Sequence, residues 1–67
     1  MSVTNKLKDL RHDRRLNQVE FAEYLGLTQY QYNRYENQRQ QPTLEGAIRI
    51  AQKLGMPVEH IFLVDMQ

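Results

Sequence analysis

Two helix-start signals and a stop fall so close together in this chain that they force two short helices to cross sharply. Asn17 is followed by Glu20, and Thr28 by Gln31, each at the spacing where a capping side chain and its N3 partner satisfy free N–H groups. Between them, Gly26 supplies the left-handed backbone angle that ends a helix without a Cβ penalty. Only Leu27 and Thr28 separate that stop from the next start. A connection this short sets a helix from Gln18 to Leu25 steeply against one from Gln29 to about Asn37, and an antiparallel hairpin is excluded. Ala22, small and mid-helix, lets the second helix approach closely.

The remaining residues must build a core around that crossing with few other means. Sixty-seven residues make one domain, 1–67, burying only ~60% of the surface its unfolded form exposes. The absence of cysteine removes disulfides and thiolate metal sites, and two histidines, His12 and His60, argue against structural zinc. Asp9, His12 and Asp13 share about one turn, but they read as an exposed polar face and not as a metal corner.

Helical spacing recurs while clean period-2 alternation is absent, so the expected class is all-α, with five helices. The first runs from about Val3 to Arg14, with Leu7 and Leu10 inward. The second, Gln18 to Leu25, buries Val19 or Phe21, Ala22 and Leu25. The third buries Tyr32 and Tyr35. The fourth, Leu44 to Leu54, is capped by Thr43 and buries Leu44, Ala47, Ile50, Ala51 and Leu54 before Gly55 stops it. A short fifth, Val58 to Phe62, follows Pro57. The tail from Leu63 is a frayed end or a short strand, which could pair with Ser2-Val3-Thr4.

Several function classes drop out. The longest apolar run, Ile61-Phe62-Leu63-Val64, is far short of the ~20 residues that span a bilayer. Nothing at the N-terminus reads as an export signal, so a cytoplasmic protein of a bacterium or phage is expected. No serine or threonine sits in a nucleophile elbow or beside a histidine, and no catalytic constellation is visible, so the chain is not expected to be an enzyme or to use a cofactor. Net charge is only +1, with the basic excess in residues 1–41. If nucleic acid is the partner, a few well-placed donors must matter more than bulk charge.

Such donors exist. With Tyr32 and Tyr35 turned inward, Gln29, Tyr30, Asn33 and Arg34 share one outward strip of the third helix. Amides can pair bidentately with adenine N6/N7, arginine with guanine O6/N7, and a tyrosine ring can meet a thymine methyl. The major groove admits a helix of this width.

The segments LKDLR, LNQVEFAEYLGLT, NRYEN and PTLEGAIRIAQKLGMPVEHIF, in this order and spacing, resemble the lambda-repressor-like Cro/C1 (XRE) helix-turn-helix domains from about Leu7 to Phe62. The resemblance implies a compact helical DNA-binding domain with helix-turn-helix core 18–37 and recognition helix 29–37 in the major groove. It implies base contacts from Gln29, Tyr30, Asn33 and Arg34, and phosphate contacts from Asn17, Gln18, Thr28, Asn37, Arg39 and Gln40. It also implies a structural ion pair, Arg11 with Glu36. Two positions depart from the family pattern: Tyr32 replaces a small aliphatic, and Gln38 replaces a glycine.

The expected function is a repressor-type regulator binding an inverted-repeat operator on double-stranded DNA, as a homodimer with the Ile61–Val64 run in the seam. The competing reading is an antitoxin-like or antirepressor-type module that uses the same fold to bind a protein partner. Its interface would be the four tyrosines and that same apolar run.

Overall fold

The computed structural model describes residues 2–65, and in it Asn5 decides where the first helix begins. Its Oδ1 accepts from Leu7 N–H at 3.1 Å, an Asx-type cap, while its Nδ2 donates to the Tyr35 carbonyl at 2.8 Å and to Gln41 Oε1 at 2.9 Å. The chain before it is therefore strand: β1 is Ser2–Asn5, and α1 is Leu7–Asp13. The expected start of the first helix at Val3 is wrong by this margin. A capping asparagine lies inside the stretch read as helical.

The order continues with α2 (Gln18–Leu25), α3 (Gln29–Glu36), α4 (Leu44–Leu54) and β2 (Phe62–Asp65). β1 and β2 pair antiparallel from Ser2 opposite Asp65 to Asn5 opposite Phe62. The fold is thus mostly helical with a small two-stranded sheet, and the described residues form four α-helices where five were expected. The segment expected to form the fifth is a single 3₁₀ turn, Val58–His60. Ile61 gives its carbonyl to Lys6 N–H at 2.9 Å, and that bond draws the following residues into the sheet instead of a further helical turn.

The caps sit where local sequence places them. Asn17 and Glu20 close a reciprocal box: Glu20 N–H donates to Asn17 Oδ1 at 2.8 Å and Asn17 N–H to Glu20 Oε1 at 2.9 Å. Thr28 and Thr43 each accept from the N–H three residues on, at 3.1 Å. Gly26 ends α2 at φ 75°, as the tight turn requires.

Leu7, Phe21, Ala22, Leu25, Tyr32, Tyr35, Ile50, Ala51, Leu54 and Ile61 form the core. Phe21 meets Tyr32 edge-to-face, with ring centroids 5.4 Å apart, a favoured aromatic geometry. Phe21 is thus the inward residue of α2 and Val19 is exposed. Leu44, expected in the core, is 76% exposed because the first turn of α4 extends beyond it.

Candidate nucleic-acid interface

α3 is held from below by one buried charged hub. Glu36 is 4% exposed, so its carboxylate needs full compensation. Arg11 grips it side-on, Nε to Oε1 at 2.7 Å and Nη2 to Oε2 at 3.2 Å. Tyr32 Oη donates to Oε1 at 2.6 Å and Gln18 Nε2 to Oε2 at 2.8 Å. Burial by itself would raise the carboxyl, but the hydrogen bonds from Arg11, Tyr32 and Gln18 outweigh it and bring it down to about 2. Tyr32 moves the other way. Burial, then its bond to Glu36, pushes the phenol well above its ordinary value. Arg11 is raised chiefly by its bond to Glu36.

The hub therefore joins three elements: Arg11 of α1, Gln18 at the start of α2, and Tyr32 and Glu36 of α3. It also sets the polarity of the amides above it. Glu36 can only accept, so Gln18 presents its NH₂ inward and its Oε1 outward. That oxygen takes a hydrogen from Asn33 Nδ2 at 3.2 Å. Asn33 keeps its Oδ1 and one N–H for another partner.

On the outward strip, Gln29 is exposed and Tyr30 is 74% exposed. Arg34 is half-buried; its guanidinium carbon lies 5.8 Å from the Tyr30 ring centre, and its Nε donates to Gln40 Oε1 at 3.1 Å. Gln29, Tyr30, Asn33 and Arg34 thus share one face, with Gln18 beside it. Asn17 and Thr28 stand at the N-termini of α2 and α3, where free N–H groups and the helix dipole favour anions. Asn37 and Arg39 are exposed on the loop after α3.

That loop holds residues that sequence reasoning missed. Gln38 takes φ 61°, a left-handed angle rare outside glycine, asparagine and aspartate. Its side chain bonds the Asn5 backbone, and Gln41 Nε2 reaches the Val3 carbonyl at 3.1 Å. The glycine-to-glutamine departure at position 38 was the visible signal for the loop. Asn5 had none beyond its capping chemistry.

No group of three or more His, Cys, Asp or Glu able to hold a metal ion occurs among the described residues. No helix among them is long and apolar enough to cross a membrane.

Comparison with curated proteins finds 36% identity over 58 residues to the cryptic phage CTXphi transcriptional repressor RstR of Vibrio cholerae, covering 87% of this chain and 52% of that protein. The chain spans about half the length of this relative. A family model described as helix-turn-helix matches residues 7–61. With the α2–turn–α3 geometry in place, the chain belongs to the helix-turn-helix family, of the Cro/C1 (XRE) type.

Proposed function

We propose that this domain binds double-stranded DNA as a repressor-type transcriptional regulator and performs no chemistry of its own. The observation that carries the reading is the outward face of α3. A short helix directly after a tight turn presents two amides, an arginine and a tyrosine on one strip, and a buried ion pair braces it from behind. Similarity to a phage repressor supports the same reading.

In this proposal α3 enters the major groove, and Gln29, Tyr30, Asn33 and Arg34 meet base edges. Asn17, Gln18, Thr28, Asn37, Arg39 and Gln40 set register by touching phosphates. The operator is an inverted repeat read by a homodimer; of the Ile61–Val64 run, Ile61 is buried in the core, which leaves the exposed Leu63 and Val64 of β2 for the seam. The setting is the cytoplasm of a bacterium or of a phage-infected cell.

Selection from a random duplex pool tests this, comparing wild type with a Gln29→Ala/Arg34→Ala double variant. A palindromic motif enriched by wild type and lost in the variant is the expected result. A folded wild type that enriches nothing at low salt refutes the reading. Leu44 and Ile48, exposed on α4, favour a protein partner as the second reading. A protein complex that survives high salt, together with no DNA binding at low salt, would establish it.

A further inference from the structure

The loop after α3 turns back on the helix it has just left. With Gln38 in the left-handed region, Arg39 N–H and Gln40 N–H both point at the Arg34 carbonyl, at 3.0 and 3.3 Å. Gln40 is thereby brought over Arg34, and its Oε1 accepts from Arg34 Nε at 3.1 Å. The Tyr30 ring is also near, its centre 5.8 Å from the guanidinium carbon. The turn itself is anchored: the Gln38 amide is bonded to both polar groups of the Asn5 backbone.

A guanidinium offers its N–H groups along two kinds of edge, the side edge through Nε and the end edge through Nη1 and Nη2. Gln40 occupies the side edge. The end edge remains, and it is a planar two-donor fork that matches guanine O6 and N7. A free arginine would have to lose rotamer freedom to dock this way, whereas one already tied to Gln40 and lying near the Tyr30 ring loses less.

We propose that Gln40 is a specificity-determining positioning residue, which pins Arg34 so that its terminal nitrogens face a guanine. This rests on the DNA-binding reading and deepens it. Gln40 then acts chiefly through Arg34, with its own Nε2 left over for a phosphate.

The test measures binding to every single-base-pair variant of the selected operator for wild type, Arg34→Ala, Gln40→Ala and Gln40→Glu. Gln40→Ala is expected to cut discrimination about three- to tenfold, the scale of one net hydrogen bond, at the position that Arg34→Ala relaxes. The salt dependence should stay unchanged. Gln40→Glu keeps an oxygen acceptor and should retain the preference at that position. Equal weakening on all sequences would make Gln40 a phosphate contact only and overturn the proposal. So would an unchanged profile.

A second measurement needs no DNA. In the free protein the Arg34 Nε–H resonance should be slow to exchange and become fast in Gln40→Ala. Unaltered exchange would overturn the pinning even if DNA binding holds. A wild type that selects no operator would instead bring down the DNA-binding reading, and this proposal with it.

Discussion

The Gln38 side chain pairs with the Asn5 backbone as a neighbouring strand would: Asn5 N–H donates to Oε1 at 3.1 Å, and Nε2 donates to the Asn5 carbonyl at 2.9 Å. β1 is thus paired on one edge by β2 and on the other by a single amide, helped by Gln41. An edge strand's free N–H and C=O groups are a template for unwanted pairing, and the two glutamines cover part of that template.

Gln38 carries two opposing effects, which two substitutions separate. Gln38→Ala keeps the left-handed strain and loses the amide pair; Gln38→Gly loses the pair but relieves the strain. The glycine variant should therefore be more stable than the alanine variant by about 1 kcal/mol, the left-handed cost for a residue with a Cβ. Urea denaturation of both variants checks the difference, and equal midpoints would contradict it.

Asn5→Ala removes three side-chain bonds, leaves Leu7 N–H to find water or go unpaired, and leaves the Tyr35 carbonyl with only the Gln38 N–H. A loss of about 2–3 kcal/mol is expected. Amide exchange should quicken in β1 and at Leu7 first. A loss confined to the sheet, with Leu7 still protected, would show that α1 does not depend on this cap.

Arg11→Ala strips the carboxylate of its paired cation while Tyr32 and Gln18 remain bonded to it. Breaking a buried pair from one side costs about 3–5 kcal/mol; the 13% exposure of the Arg11 side chain places this case near the lower end. In so small a domain that suffices to unfold much of the population at physiological temperature. A melting curve displaced by only a few degrees would mean that the two hydrogen-bonding neighbours carry the charge by themselves.

The same hub sets both limbs of the pH profile. The Glu36 carboxyl lies at about 2 in the fold against an ordinary 4.5, so its contribution is fully present above pH 4.5 and is lost as pH falls toward 2. The amount is on the order of 3 kcal/mol. Tyr32 is raised above its ordinary 10.0, so the stability it contributes is present below pH 10 and declines as pH rises beyond it. Denaturation midpoints across pH 2–11 should show both limbs. Tyr32→Phe should abolish the part of the alkaline limb that comes from this residue.

What could be read in advance divides along a physical line. The Asn17, Thr28 and Thr43 caps and the Gly26 stop act within a few residues, so their chemistry is complete in the local string. Tyr32 and Tyr35 could be turned inward because helical spacing leaves them one shared face. Val19 and Phe21 could not be separated, since neighbouring apolar positions compete for the inner face until a partner such as Tyr32 picks one. Leu44 reads as core by spacing, but only the tertiary arrangement says where the core ends. Asn5 was hidden because its partners Tyr35, Gln38 and Gln41 are distant in sequence. The polarity that Glu36 passes through Gln18 to Asn33 likewise belongs to three-dimensional contact and to no motif.

The pairing of β1 with β2 gives the domain a timetable. The first strand is made before the helices, and its edge toward β2 must wait for Phe62–Asp65, whereas its other edge can already meet Gln38 and Gln41. Closing the sheet joins positions at opposite extremes of the described chain, a long loop whose entropy is lost late. Through the Asn5–Gln38 pair, the same strand that closes the sheet also holds the turn that shapes the loop above Arg34.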